Sequence, residues 1–266
     1  MIAAKNVRGG LMTGTTGRAV LCATAIAALA LSGCSGQKDA PDASTSASTT
    51  ASRTALAPAP APPSTGPAGL TGWPGQDKVT EDAMVAALFT GEELAKVFDT
   101  EVAKTNKRDK PFTAAESDDA SCNVTQGLTV ESVGKDYETF RGTEMLLGDA
   151  KNPDAQVYQG IAAYKDKDAA QAQFSTAADE ITECDGKTYN FTDPGGRKVP
   201  VAVSVSSSNA KKVNWALTYG PSTYRCFVSY NGVANVIVQT QICARSNSKQ
   251  LVQKMADRIV DKLQLS

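Results

Sequence analysis

The 266-residue chain contains no histidine. Histidine is the commonest general base and the commonest metal ligand, and only its unperturbed pKa lies near physiological pH. The sequence also lacks a nucleophile elbow, a Walker loop, a dinucleotide-binding glycine motif, an EF-hand loop and a zinc-protease motif. We therefore expect no catalytic residues, no enzyme activity, no cofactor and no metal site.

Clusters of basic residues are also missing. The formal net charge is -1, and without residues 1–33, which hold Lys5, Arg8 and Arg18 and no acidic residue, 24 basic residues face 28 acidic ones, a net charge of -4. Binding to a phosphate backbone needs concentrated Lys and Arg side chains. We therefore expect no nucleic acid partner.

The apolar run over 19–31 is too short for a transmembrane helix, which needs about 20 apolar residues. Basic residues precede this run and no acidic residue occurs before Asp39, a pattern typical of a signal peptide over 1–33. The motif Leu31-Ser32-Gly33-Cys34 resembles the bacterial lipobox, which implies cleavage before Cys34 and lipidation of its thiol. The alternative is an ordinary signal peptide followed by an incidental cysteine.

Residues 34–76 consist mainly of Ser, Thr, Ala, Pro and Gly. So few large apolar side chains cannot offset the entropy lost on folding, which predicts a disordered tether. The folded domain is expected over 77–266.

Hydrophobic periodicity predicts an α+β domain. Met84, Val85, Leu88 and Phe89 indicate a first short helix, and Thr90 and Glu93 have capping-box spacing before a second. Longer helices are predicted over 167–183 and 249–263. Strands are predicted over 140–147, 156–164, 189–192, 199–206, 213–219, 224–230 and 236–243. The fold class is an antiparallel sheet of about five to seven strands with helices packed on it, and the doubly apolar Val236–Val238 segment lies centrally.

Two kinds of side chain remain open to more than one interpretation. Tyr158, Tyr164, Trp215 and Tyr219 either line a binding cleft or, more commonly for strand aromatics, belong to the core. The acidic groups near 118, 166 and 183 could contact calcium or form a carboxylate pair, but solvated carboxylates at helix ends and in loops are far commoner. We assign no ligand-binding residue from the sequence.

Four cysteines fall in the domain: Cys122, Cys184, Cys226 and Cys243. An even number of cysteines in an exported chain predicts two disulfides, which allows three pairings. Zinc is the alternative, but no Cys-x-x-Cys pair occurs and no histidine could complete the site.

The order of elements from Leu88 to Leu263 resembles the PknH-like extracellular domain family, which includes a mycobacterial kinase sensor domain and mycobacterial lipoproteins. The carrying residues are an alanine-rich helix ending at Cys184, a strand led by Trp215, the segment 235–238 between Cys226 and Cys243, and a closing helix. The resemblance implies the pairs Cys122–Cys184 and Cys226–Cys243. It also implies a sensor role without a kinase.

The second implied pair conflicts with the strongest turn signal. A two-residue hairpin at Asn231-Gly232 would place Cys226 opposite Ile237, whereas the pair Cys226–Cys243 requires a reversal near Ala234-Asn235. We therefore predict that the turn lies nearer 234–235.

The sequence thus predicts a protein anchored to the extracytoplasmic face of the cell membrane through lipid on Cys34. The expected function is a ligand-binding or sensor-like domain for a small-molecule, lipid or glycan ligand. The alternative is a structural or interaction lipoprotein that binds an envelope protein partner.

Overall fold

The structure, a computed structural model, describes residues 73–75 and 78–265. The predicted signal peptide, Cys34 and most of the predicted tether lie outside the described residues. The five α-helices among them are α1 (Glu81–Ala87), α2 (Gly91–Phe98), α3 (Val130–Val133), α4 (Lys167–Glu183) and α5 (Lys249–Gln264), with a 3-10 helix over Ala120–Gln126. The strands are β1 (Val102–Arg108), β2 (Thr139–Gly148), β3 (Pro153–Ala163), β4 (Thr188–Thr192), β5 (Lys198–Asn209), β6 (Lys212–Tyr219), β7 (Arg225–Val233) and β8 (Val236–Ala244).

The strands form one antiparallel sheet in the order β1-β2-β3-β8-β7-β6-β5-β4. The α+β class with helices packed on an antiparallel sheet is confirmed. Strand β8 lies centrally and is buried along its whole length, as its apolar sequence predicts.

The predicted count of five to seven strands is wrong, because the described sheet has eight. The additional strand is β1, which lies at an edge and pairs with β2 from Val102 to Arg108. Its sequence, VAKTNKR, is polar after the first two residues and mostly exposed. Such a strand shows no hydrophobic alternation, since most of its residues are exposed. Charged residues at a sheet edge prevent pairing with other chains.

Each face of the sheet carries its own core. On one face, Phe174 and Ile181 of α4 and the 3-10 helix pack over strand residues that include Trp215 and Tyr230. On the other face, α1, α2 and α5 contribute Met84, Leu94, Met255 and Ile259. Along the central strands alternate residues feed the two cores, as the two-residue period of a strand requires, whereas β4 and β5 contribute only to the core under α4.

The turn between β7 and β8 lies where the implied disulfide requires it. Val233 pairs with Val236, so the reversal falls on Ala234 and Asn235, with Ala234 in the left-handed region at φ 49°. Asn231 and Gly232 are strand residues. Cys226 lies opposite Cys243 and is bonded to it, and Cys122 is bonded to Cys184.

The described residues also include Trp73, which the sequence assigns to the tether. Its side chain is 2% exposed, its Nε1 donates to the carbonyl of Ala210 over 3.1 Å, and its ring meets Phe174 edge-on. A Cβ on Gly232 would lie 2.0 Å from this ring, so glycine is required for the close approach. The core therefore extends upstream of the predicted domain start.

Candidate functional site

A groove of about 790 Å³ lies on the α5 side of the sheet. Helix α5 packs on β7 and β8, whereas Ser204 and Ser206 on the same face of β5 are exposed. The sheet forms the floor, the first turn of α5 forms one wall, and the loop with Pro221, Ser222 and Thr223 closes one end. The groove therefore exists because one helix covers only part of a wide sheet.

The floor of the groove is polar because of strand alternation. On β6, Val213, Trp215 and Leu217 belong to the α4-side core, so Asn214, Ala216 and Thr218 face the groove. Ser204 pairs with Ala216, and Ala216 in turn pairs with Phe227, whose ring supplies the aromatic surface on this face. Hydroxyl groups thus surround one small apolar area.

Three cations line the groove at one end: Arg225, Arg245 and Lys249. Arg225 pairs with Thr218 on one side and with Ala244 on the other, so Arg245 follows directly after its cross-strand partner. Within the described part of the chain, none of the three forms an ion pair, and no Asp or Glu lines the groove. The groove is therefore electropositive in a chain whose net charge is -1.

The N-terminus of α5 opens into the same end of the groove. Its N-cap residue, Ser248, makes no side-chain capping hydrogen bond, and the first turn contains no acidic residue. The Oδ1 atom of Asn247 accepts a hydrogen bond from the Lys249 amide over 3.2 Å. Because a helix N-terminus carries partial positive charge, it adds to the field of the three cations.

One buried polar atom of the groove floor has no partner. Asn214 is 4% exposed and its Nδ2 donates to the hydroxyl of Ser207 over 2.7 Å. Its Oδ1 has no hydrogen-bond partner among the described residues. Buried carbonyl oxygens are normally hydrogen-bonded, so this acceptor identifies a place where a donor is missing.

A second groove, of about 680 Å³, lies between the α1–α2 segment and strands β1 and β2. Leu88, Phe89 and Met145 make its interior apolar, and Val85 at its edge is 54% exposed. The sequence pattern grouped Val85 with Met84, Leu88 and Phe89 on one face, whereas the structure buries those three residues and leaves Val85 exposed. Since α1 has only seven residues, it buries Met84 and Ala87 and leaves Val85 outside.

The aromatic side chains considered as cleft residues do not form one site. Tyr164 is 1% exposed and donates to the carbonyl of Val133 over 2.6 Å, and Trp215 is 2% exposed and donates to the carbonyl of Thr125 over 2.9 Å. Tyr158 and Tyr219 are partly buried against the α4-side core. Burial raises the pKa of the phenols of Tyr158, Tyr164 and Tyr219 well above the ordinary value. The core interpretation therefore fits these residues.

The acidic groups near 118, 166 and 183 each include a carboxylate with a local contact, which in the last group is Asp185 accepting from the amide of Val205 over 2.8 Å. Asp166 caps α4 by accepting from the amide of Ala169, and Asp118 accepts from both the backbone and the side chain of Asn190. These hydrogen bonds lower the pKa of Asp118 below its usual value. Across residues 73–75 and 78–265, no group of three potential ligands could hold a metal ion, and no helix is long and apolar enough to cross a membrane.

Sequence reasoning missed the three cations and Asn214, because they are spread over 214–249 and form no run. One signal could have found part of the set. The implied Cys226–Cys243 pair fixes the register of β7 and β8, which brings Arg225 beside the end of the strand that precedes Arg245.

Comparison with known proteins agrees with this architecture. The model of the PknH-like extracellular domain family matches residues 79–262. The crystal structure of the extracellular domain of PknH from Mycobacterium tuberculosis is similar at a TM-score of 0.64 and 21% identity, covering 72% of this chain and 99% of that one. A search of curated proteins found no match. The chain therefore belongs to the PknH-like extracellular domain family, and residues 79–262 are an extracytoplasmic, sensor-like domain.

Proposed function

We propose that this protein is a lipid-anchored, non-catalytic domain of the cell envelope that binds its ligand in the groove beside α5. The observation that carries the proposal is the set of groups inside that groove. Among the described residues, three cations without an ion-pair partner line the groove together with Asn214, whose buried Oδ1 has no hydrogen-bond partner. A buried polar atom that serves only the fold normally finds a partner within it, and an exposed cluster of cations without carboxylates attracts anions.

The shape of the groove favours a small molecule over a protein. Its volume of about 790 Å³ falls within the roughly 300–1,000 Å³ range of small-molecule sites. A protein-binding surface would instead present a broad apolar patch of several hundred Å². The composition of the groove also supports a non-catalytic role, because its lining contains no histidine, cysteine or carboxylate among the described residues.

A protein partner remains the second candidate, and the groove between α1, α2 and β1 favours it. That surface is mainly apolar and includes the exposed side chain of Val85. In this alternative the domain would connect envelope components by protein contacts alone.

Ligand binding is tested by native mass spectrometry of the full chain extracted from its own envelope. Ser204→Trp places an indole on the groove floor and is expected to remove the co-purifying ligand. Ser208→Trp is the matched control, because Ser208 is exposed on the same strand outside the groove. Retention of the same ligand by Ser204→Trp, or an empty wild-type protein, would contradict the proposed groove function.

The anchor is tested separately at Cys34. Since two or three acyl chains bind a bilayer stably, loss of the acceptor thiol by Cys34→Ala is expected to move the protein from the membrane fraction to the soluble fraction. Cys22→Ala, a cysteine within the predicted signal peptide, is the control and should leave the protein membrane-bound. A Cys34→Ala protein that stays with the membrane would show that the anchor lies elsewhere.

A further inference from the structure

We propose that the ligand is a phosphorylated polyhydroxy compound, either a soluble sugar phosphate or the phosphorylated polyol headgroup of a lipid. Its phosphate would lie between Arg225, Arg245 and Lys249, and its hydroxyl groups would extend along β5 and β6 toward Asn214. The inference rests on the proposed function, because it names the chemistry of the ligand that the same groove takes.

The cationic end of the groove has the groups that recognise phosphate. Arginine presents a planar fork of donors that matches phosphate oxygens, and lysine adds a mobile point charge. The first turn of α5 supplies amide donors at its N-terminus, where phosphate groups bind readily. Ser248 makes no side-chain capping hydrogen bond to these amides, although Asn247 Oδ1 accepts from the amide of Lys249.

Lys249 is a cation at the first position of α5, where the helix alone does not favour a positive charge. A cation in the first turn is unfavourable, because it faces the positive end of the helix dipole. The first turns of α1, α2, α3 and α4 each contain an acidic residue, whereas that of α5 has none. An anion bound between Lys249 and the helix N-terminus would make both charges favourable.

The other end of the groove contains a buried acceptor that lacks a hydrogen-bond donor among the described residues. Asn214 Oδ1 is a buried acceptor without a partner, and Ser204 and Ser206 lie on the neighbouring strand. A hydroxyl group satisfies such an acceptor because it donates, and it can also accept from serine. Phe227, a largely buried residue of the α5-side core, lies between the two ends and adds a small apolar area to the floor.

The distance between the two ends sets the size of the ligand. Asn214 and Thr218 are four residues apart on β6, which corresponds to about 13 Å along the strand. Thr218 pairs with Arg225 at the cationic end. Inorganic phosphate cannot bridge this distance, whereas a phosphorylated disaccharide can.

The test is calorimetric titration of the full chain, purified in neutral detergent with its disulfides intact, with maltose 1-phosphate, maltose and inorganic phosphate. Because maltose 1-phosphate engages both ends, it is expected to bind at least about tenfold more tightly than either part. Equal affinity for maltose and maltose 1-phosphate, or no binding of any probe, would overturn the assignment.

The residues of each end are tested with matched variants. Arg225→Gln and Lys249→Gln should each weaken maltose 1-phosphate binding about tenfold, since each removes a charge-assisted contact. Lys254→Gln makes the same charge change on an exposed residue of α5 outside the groove and should have no effect. Asn214→Ala should weaken the binding of maltose 1-phosphate and of maltose alike. If the Asn214→Ala variant does not fold, Ser204→Ala tests the same end of the groove. Affinities unchanged by Arg225→Gln and Lys249→Gln would contradict the proposal.

Vesicles distinguish the two sources of the ligand. The Cys34→Ala chain is floated with phosphatidylcholine vesicles that contain or lack phosphatidylinositol. Flotation that requires phosphatidylinositol and Arg225 indicates a lipid headgroup, and maltose 1-phosphate binding without flotation indicates a soluble ligand. If all phosphorylated probes fail while Ser204→Trp still removes a native ligand, the chemical class is wrong and the proposed function stands.

Discussion

A few buried polar side chains hold the segments outside the sheet in place. Asn235 is fully buried, and its Oδ1 accepts from the amide of Val79 over 2.7 Å while its Nδ2 donates to the carbonyl of Tyr164 over 2.6 Å. Gln159 acts similarly, because its side chain accepts from the amide of Phe89 and donates to the carbonyl of the same residue. Each amide satisfies two backbone groups that would otherwise be buried without partners.

Asn235→Ala tests this role at the scale of one residue. The substitution leaves the Val79 amide and the Tyr164 carbonyl unpaired, and a buried unpaired group costs about 1–3 kcal/mol. We expect the free energy of unfolding, measured with urea, to fall by about 2–4 kcal/mol. The exposed residue Asn152 provides the control, because Asn152→Ala should change stability by less than about 0.5 kcal/mol. Equal stability of the two variants would show that the hydrogen bonds of Asn235 contribute little.

At the scale of elements, apolar periodicity predicted every described α-helix longer than six residues and seven of the eight described strands. Helix α4 spans the predicted residues 167–183, because Ala170, Phe174, Ala177 and Ile181 give a regular buried stripe. The capping box at Thr90 and Glu93 is confirmed with both of its hydrogen bonds. Elements whose stabilising contacts are encoded in their own residues were therefore readable from the sequence.

Elements that are stabilised by contacts with distant segments could not be predicted from the sequence. Strand β1 has no hydrophobic alternation, and its hydrogen-bond partner is β2, more than 30 residues away. The 3-10 helix over Ala120–Gln126 buries Cys122, Val124 and Thr125 within a segment that looks polar. The turn at Ala234-Asn235 was predictable only through the implied disulfide, since Asn231-Gly232 is the better local turn.

The same difference between local and long-range contacts explains why only part of the candidate site could be predicted. Cys34 and the four domain cysteines stand out locally in the sequence. The groove appears only when α5 packs across β7 and β8 and brings residues from 204 to 253 around one surface. No spacing rule joins Asn214 to Lys249, so the site could not be predicted without the fold.

At the scale of the whole molecule, the two faces of the sheet differ. The face under α4 and the 3-10 helix is filled by large side chains, including Phe174 stacked on Tyr230. The opposite face is shared among α1, α2 and α5, which leave two grooves of different chemistry. One is polar and cationic, and the other is mainly apolar. The polar, cationic groove is the one that we propose binds the ligand.

The most direct test of that claim is hydrogen–deuterium exchange of the full chain isolated with its native ligand, compared with the same chain after the ligand is removed. Because a bound ligand would cover the ends of β6 and β7 and the start of α5, we predict slower exchange over 214–228 and 245–253 in the ligand-bound protein. Protection confined to the α1–α2 segment and β1, with no change over 214–228 or 245–253, would contradict the account and place the ligand in the apolar groove instead.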